Sequence, residues 1–236
     1  MPDLSLIVFA FNEAQNVGPV LDELRAWLDQ QERTFELIFV DDGSTDGTGE
    51  RAAQHLDGCP HKCLRHASNR GIGAALKTGV AAANGDWVTF LPADGQIPAE
   101  SVGTLRAAAD ASGADVVFSV YDHRDDGFDR KILSAGVRAL ITLVHGVSLR
   151  SEGPYLFRRR LFVPQELASD SFFLNFEFPI GVLQAGLRTT EVTIECRPRR
   201  SGASKTARLS VIGRVAKELV DLRIRKTRTA LRRFTL

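Results

Sequence analysis

The stretch Val40-Asp41-Asp42-Gly43-Ser44-Thr45-Asp46-Gly47-Thr48 decides the fold. An apolar run from Phe35 to Val40 delivers two adjacent carboxylates into a turn rich in Gly, Ser and Thr. Ser44, Thr45 and Asp46 are residues that cap the start of a helix. A strand handing its polar end to a helix is the repeating unit of an open α/β sheet, which binds ligands outside the carboxyl ends of its strands. Paired acceptors there suit the N–H and O–H groups of a base and a ribose. Turn chemistry is the competing reading, since Asp, Gly and Ser each favour turns for their own physical reasons.

The arrangement recurs on either side. Leu4-Ser5-Leu6-Ile7-Val8-Phe9 runs into Ala10-Phe11-Asn12-Glu13 and then a helical pattern through Leu21, Leu24 and Leu28. Trp87-Val88-Thr89-Phe90-Leu91 runs into Pro92-Ala93-Asp94-Gly95-Gln96-Ile97-Pro98. Three strand ends thus carry acidic or amide groups toward one sheet edge, and chance turn chemistry explains one such cluster better than three.

Periodicity and breakers predict strands at 4–9, 35–41, 63–66, 87–91, 115–121 and 188–196. Helices are expected at 16–30, 46–55, 72–84, from Pro98 to about 112, at 130–144 and near 175–185, followed by a basic tail. Strands alternating with helices imply a largely parallel sheet with right-handed crossovers.

At 236 residues, with no Pro/Gly/Ser linker, repeat or low-complexity segment, the chain reads as one α/β domain over 1–206 and a basic amphipathic helix over 207–236. The formal charge of +1 conceals a split. Residues 197–236 hold thirteen Lys/Arg and two acids, which leaves 17 basic and 27 acidic residues before them. A basic tail of that size suggests an anionic partner: a membrane surface, a lipid phosphate, nucleic acid or an acidic body. The N-terminus has no signal-peptide pattern and no run of eighteen apolar residues exists, so neither secretion nor membrane spanning is expected. Three cysteines, Cys59, Cys63 and Cys196, fit a reducing compartment, and Cys59-Pro60-His61-Lys62-Cys63 matches no common zinc spacing.

Together these motifs resemble family 2 glycosyltransferases of the GT-A fold, nearest the polyprenyl-phosphate (dolichol-phosphate mannose type) branch. The resemblance rests on Phe-Asn-Glu (11–13), Asp-Asp-Gly-Ser-x-Asp-x-Thr (41–48), Asn69-x-Gly71-x-Gly73-x-Ala75 with Gly79 and Ala83-x-Gly85, and Asp94-Gly95-Gln96. Arg130 with Ser134, Phe176-Glu177, Glu191-Val192 and Pro198-Arg199-x-x-Gly202-x-Ser204-Lys205 follow in the expected order, so that it covers roughly residues 4–206.

It implies an inverting, metal-dependent transfer of a sugar from a nucleotide diphosphate to a polyprenyl phosphate, at the cytoplasmic face of a membrane to which the protein is bound peripherally. Ala10, Phe11, Glu13, Asp41, Asp42, Gly71 and Asp94 are then expected at the nucleotide sugar, and Asp94 with Gln96 at Mg²⁺ or Mn²⁺. Arg124, Arg130, Ser134 and Arg199 are expected at the acceptor phosphate. Asp94, Arg130 and Lys205 carry the catalytic role, with Lys205 on a loop that closes over the diphosphate. An ionised phosphate acceptor needs alignment and charge neutralisation more than a strong base. Nucleic acid is not expected as a partner; a second copy or a membrane protein is.

Two departures stand out. Pro92 occupies the place of the family's usual acid before Asp94, and the family's Asp near Leu149 to Pro154 has no counterpart. They leave open a saccharide or small-molecule hydroxyl acceptor, or a catalytically silent nucleotide-binding protein. Gly71-Ile72-Gly73-Ala74-Ala75-Leu76 lacks the last glycine of a dinucleotide fingerprint and reads instead as close backbone packing beneath a nucleotide. Arg70 and Lys77 read either as diphosphate contacts or as solvated cations. The aromatic patch from Phe172 to Phe178 reads either as core or as a cover for the site. The tail's apolar stripe, Leu209, Ile212, Val215, Ala216, Leu219 and Leu222, suits either a bilayer surface or the domain itself.

Overall fold

The structure, a computed structural model, describes residues 1–58, 61–122, 128–198 and 209–234, and for 128–134, 209–212 and 228–234 the backbone alone. In chain order the elements are β1 (Leu4–Ala10), α1 (Val17–Leu28), β2 (Phe35–Asp41), α2 (Thr48–Leu56), β3 (His61–Arg65), α3 (Ile72–Ala82) and β4 (Trp87–Pro92). There follow α4 (Glu100–Ser112), β5 (Val116–Tyr121), α5 (Phe128–His145), β6 (Leu156–Arg158), two short 3₁₀ turns (Arg159–Leu161 and Pro164–Glu166), α6 (Leu174–Gln184), β7 (Thr189–Ile194) and α7 (Leu209–Phe234).

Among the described residues the strands form one sheet in the order β3-β2-β1-β4-β6-β5-β7. Every pairing is parallel except those of β6, which is antiparallel to both β4 and β5. Six of the seven strands were legible in the sequence; β1, β2, β4 and β5 are the largely apolar runs, as strands covered on both faces are. Alternation sorts their side chains: Ile7, Ile38 and Val88 face the layer of α3, α5, α6 and α7, while Leu6, Val8 and Phe39 face α1, α2 and α4. Each fully buried Leu, Ile or Phe contributes roughly 1.5–3 kcal/mol relative to exposure.

β6 had no sequence signal, and its brevity positions the site. It pairs only with the first residues of its neighbours, Trp87 and Val88 on one side and Val116 and Val117 on the other. Beyond Leu156 no ladder joins β4 to β5. Buried strand hydroxyls take over: Thr89 donates to the Tyr155 carbonyl at 3.0 Å and Ser119 to the Pro154 carbonyl at 2.6 Å. The Tyr155 ring, fully buried, meets Phe90 edge-on at 4.8 Å and stacks on Phe178 at 5.6 Å. β6 thus joins β4 to β5 only at their amino ends, and beyond it the 152–155 segment lies between them, Glu152 N donating to the Ser119 carbonyl at 2.9 Å.

The basic C-terminal helix is part of this body. Val215, Leu219 and Leu222 are buried in the core on the α5 and α6 side. Their neighbours fix the helix: His145 Nε2 lies 3.0 Å from the Leu219 carbonyl, and Lys226 donates to Gln184 at 2.6 Å. Burial therefore occupies the stripe at Val215, Leu219 and Leu222, with Ala216 half-buried. Among the described residues no helix is long and apolar enough to cross a membrane.

Glu36 ties the opposite end of the sheet. Its carboxylate accepts from Ser5 Oγ (2.5 Å), the Asn84 and Gly85 backbone N–H groups, Asn84 Nδ2 (3.1 Å) and Lys62 Nζ (3.1 Å). Burial alone raises its pKa, yet the hydrogen bonds from Ser5, Asn84 and Lys62 outweigh that and hold it at about 2. With the carboxyl at 4.5 in the unfolded chain, the unfolded state takes up the proton first as pH falls. The stabilisation is complete above 4.5 and is lost between 4.5 and about 2. Glu36→Gln should lower the unfolding free energy at pH 7 by at most roughly 3 kcal/mol. It should also flatten the stability loss of the parent between pH 5 and pH 2, as read by urea denaturation across that range; parallel pH profiles would show that Glu36 is not the titrating brace.

Candidate active site

Four strand ends finish level. Ala10 is the register partner of Asp41, and Phe9 that of Pro92. The next peptides continue the ladder, Asp42 N donating to the Ala10 carbonyl (2.8 Å), His66 N to that of Asp41 (2.9 Å) and Ala93 N to that of Phe9 (3.0 Å). Asp41, Asp42 and Asp94 therefore share one edge, and all three are buried, at 1%, 4% and 5% exposure.

The β1–α1 and β2–α2 loops are joined side by side. Asn12 adopts φ 52°, a left-handed conformation that Asn tolerates. There its N–H reaches Ser44 Oγ (3.0 Å) and its Oδ1 accepts from Thr45 N (2.9 Å). Glu13 N donates to Thr48 Oγ1 (2.9 Å) and Ala14 N to Asp46 Oδ2 (3.1 Å). Burial pushes the Asp46 carboxyl up, but the Thr48 hydroxyl and the Ala14 and Thr48 N–H groups outweigh it and hold the carboxyl below the usual range. The Phe11-Asn12-Glu13 and Ser44-x-Asp46-x-Thr48 motifs are two halves of one joint.

Asp42 and Asp41 differ in what their carboxylates meet. Asp42 Oδ1 accepts from Arg70 N (2.9 Å) and lies 2.7 Å from His66 Nδ1; Oδ2 accepts from Gly71 N (2.9 Å) and Asn69 Nδ2 (3.0 Å). Four partners fill a carboxylate's usual capacity. His66, which no sequence motif marked, is itself held between Asp42 and Thr78 Oγ1, 2.9 Å from its Nε2. Asp41 Oδ1 accepts from Ser44 N at 2.8 Å. Its buried Oδ2 has no hydrogen-bond donor among the described residues, although the Arg65 Nε lies 3.3 Å away in an ion pair.

The glycine motif packs backbone to backbone. Gly71 has φ +97°, and a Cβ there would sit 2.6 Å from the Asp170 carbonyl, which accepts from Ala74 N at 3.1 Å. Lys77 donates to the Leu167 carbonyl (2.6 Å) and to Asp170 (2.9 Å), so its charge braces the 167–171 loop. Further braces come from Glu177, which accepts from Ala168 N (3.1 Å) and Ser169 N (2.8 Å), and from Glu218 on α7, which accepts from Ser171 Oγ at 2.9 Å. Of the aromatic patch, Phe173 and Phe178 are core, while Phe172 and Phe176 are half-buried.

Asp94 Oδ1 accepts from Gln96 N at 3.1 Å, and the Gln96 amide nitrogen lies 3.4 Å from the Arg197 carbonyl. Arg197 N donates to the Gln96 carbonyl (2.8 Å), and its guanidinium reaches Glu23 (2.8 Å). The segment after β7 is thus strapped to the Asp94 loop. β5 ends at Tyr121, and the next residue, Asp122, donates its N–H to the Ile194 carbonyl at 3.1 Å. Arg124, Arg199 and Lys205 lie outside the described residues; Arg130 and Ser134 fall in the first turns of α5, with only their backbone described.

The sequence profile described as glycosyl transferase family 2 matches residues 5–184, more than half of the chain. The chain belongs to glycosyl transferase family 2. A dodecaprenyl-phosphate galacturonate synthase of Rhizobium johnstonii is 28% identical over 93% of this chain. An undecaprenyl-phosphate 4-deoxy-4-formamido-L-arabinose transferase of Pseudomonas paraeruginosa is 30% identical over 99% of it. The chain spans 65% and 68% of the lengths of these two relatives, about two thirds. Among solved structures, glucosyl-3-phosphoglycerate synthase from Mycobacterium tuberculosis, in a complex with Mn²⁺, UDP and its product, superimposes with a TM-score of 0.68. It is 21% identical, over 94% of this chain and 78% of the other. That likeness establishes the GT-A fold.

Removing the Asp42 carboxylate leaves the Arg70 and Gly71 N–H groups and the His66 ring without their acceptor. Asp42→Ala should therefore cost at least about 3 kcal/mol of folding stability, from ~1–3 kcal/mol for each buried group left unsatisfied. Asp41→Asn keeps the shape and should cost clearly less. Urea denaturation of both variants decides this, and a parent-like midpoint for Asp42→Ala would show that the carboxylate is not a brace.

Proposed function

We propose that this chain transfers a sugar from a nucleotide diphosphate donor to a polyprenyl phosphate. The observation carrying the proposal is the convergence of Asp41, Asp94 and the Asp42-held Asn69–Gly71 turn on one edge of a family 2 fold. The names of the relatives, both transferases or synthases of polyprenyl phosphates, favour the acceptor. In this reading Asp41, at the carboxyl end of β2, takes an N–H of the base. Ala10, Phe11 and Glu13 line the nucleotide from the β1 side. Asp42 acts on Gly71 from beneath rather than on the ligand.

A divalent cation, Mg²⁺ or Mn²⁺, fits this edge in a limited way. Asp94 is one carboxylate next to Gln96, Pro92 supplies none, and among the described residues no group of three or more His, Cys, Asp or Glu forms a cage. Mg²⁺ is often held by one or two carboxylates with water and substrate phosphates completing its shell. When bound, such an ion would neutralise charge on the departing diphosphate. Arg124, Arg130, Ser134, Arg199 and Lys205 are assigned to the acceptor phosphate and the diphosphate, since α5 starts and the Arg197 strap ends on segments leading from this edge. Guanidinium groups suit phosphate oxygens through paired N–H donors.

We place the protein peripherally on the cytoplasmic face of a membrane. Because Val215, Leu219 and Leu222 are buried, what α7 offers outward is Arg214, Lys217 and Arg223 with the partly exposed Val220 and Ile224.

Turnover of UDP- and GDP-linked sugars with a short polyprenyl phosphate, followed by organic extraction of labelled product, tests the reading. Asp94→Ala should lower kcat/KM by about a hundredfold or more, and Arg130→Ala should impair the lipid acceptor while sparing nucleotide binding. Label that stays in the aqueous phase with every donor, or that moves to a saccharide instead, would remove the polyprenyl acceptor.

Arg214→Glu/Lys217→Glu/Arg223→Glu should reduce sedimentation with phosphatidylglycerol vesicles, which should also fall as salt rises, each basic residue contributing on the order of 1 kcal/mol near an anionic surface. Equal, salt-insensitive sedimentation of variant and parent would remove α7 as the contact.

A further inference from the structure

A second polar cavity, of about 400 Å³, lies at the amino edge of the sheet, lined by Asp86, Asp115, Arg158, Arg159, Arg160 and Arg188. Asp86 precedes β4, Asp115 precedes β5, Arg188 precedes β7, and Arg158 ends the antiparallel β6. With β4 six residues long, a rise of ~3.3 Å per residue puts this cavity ~20 Å from the Asp94 edge. Nothing in the transfer reaction described above uses it.

Its charge is unbalanced. Four guanidinium groups face two carboxylates, a formal excess of +2. Asp115 pairs with two of them: Arg188 Nε lies 3.1 Å from it and Arg160 3.6 Å. The Arg188 hydrogen bond, and then the charges of Arg188, Arg160 and Arg158, hold the Asp115 carboxyl below the usual range despite its burial. The arginines are fixed by the fold. Arg158 lies over the buried Trp87 ring at 4.0 Å, a contact that uses the face of the guanidinium and not its N–H edges. Arg159 Nε donates to the Gly85 carbonyl at 2.9 Å, and the Arg158 backbone is tied to the Asp115 carbonyl at 3.1 Å. Arg160 and Arg188 keep 74% and 71% of their side chains exposed.

We propose that this cavity is an anion site that takes a phosphate group, free or as a phosphate monoester, through Arg158, Arg160 and Arg188. A phosphate dianion matches the excess charge, and its oxygens suit the guanidinium N–H donors of Arg158, of the exposed Arg160, and those of Arg188 left over by its two hydrogen bonds to Asp115. The site is separate from the donor edge and does not depend on the transferase reading.

Inorganic phosphate is the probe, titrated into the full chain at constant ionic strength with chloride as balance, and read by calorimetry and thermal shift. The parent should show saturable binding that raises the Tm. Arg160→Glu, a change at an exposed side chain, should weaken it at least tenfold, and Arg150→Ala, an exposed arginine elsewhere, should leave it unchanged. Far-UV circular dichroism and a cooperative thermal transition in Arg160→Glu report whether the variant is folded. Should a lipid phosphomonoester be the natural source, vesicles containing phosphatidic acid would compete with free phosphate in the parent and not in Arg160→Glu; a soluble source would show phosphate binding without that competition. No saturable binding by the parent, or binding that survives Arg160→Glu, overturns the site.

Discussion

A buried carboxylate at the end of β2 holds the ligand edge together. Asp42 has little exposure, and an ionised group so placed is tolerated only when its oxygens are matched by donors. Those donors come from His66, Asn69, Arg70 and Gly71, the segment joining β3 to α3. The Asn69–Gly71 turn thus has one position relative to the strand ends, and α3 starts where Asp42 puts it. The start of α3 in turn rests on Asp170, whose loop is held by Lys77, Glu177 and Glu218. A chain of charge-assisted hydrogen bonds, roughly twice as strong as neutral ones, runs from the C-terminal helix to the Asp-Asp motif.

That ordering explains why the motif is rigid and yet chemically divided. Asp42 meets donors on both oxygens, while its neighbour Asp41 keeps one oxygen buried and without an aligned donor. The same dipeptide supplies a structural brace and an acceptor with capacity left. The short β6 joins β4 to β5 only at their amino ends, and at the carboxyl edge the Asp94 loop is strapped instead to Arg197.

Much of this was legible in the sequence because fully covered strands are continuously apolar and their helices carry 3.6-residue stripes. β6 was not, since three residues cannot show a period, and Leu156 and Phe157 run straight into three arginines. The edge location of Asp41, Asp42 and Asp94 followed from strand ends. The role of Asp42 did not, because two of its four partners are backbone N–H groups and the other two, Asn69 and His66, lie more than twenty residues away. Gly71 and Gly73 did announce a close approach, and the Asp170–Ser171 backbone is what approaches. Lys77 and the Phe172–Phe178 patch were ambiguous for the same reason: both are settled by a loop whose position depends on α7.

The C-terminal helix shows how far periodicity reaches. Val215, Leu219 and Leu222 recur as they would on a helix lying on a bilayer, and an identical stripe serves a helix packed on its own domain. Here all three are at most 5% exposed, so the core has taken the face that an interfacial helix would immerse. What remains outward is mostly charge, and charge acts on a surface only within a Debye length, about 8–10 Å at physiological salt. Glu218 and Arg225 fasten the helix to the loop and to Glu177 beneath it. An attraction between its basic face and an anionic surface would therefore turn the whole domain, and with it the carboxylate edge, rather than draw out a tethered tail.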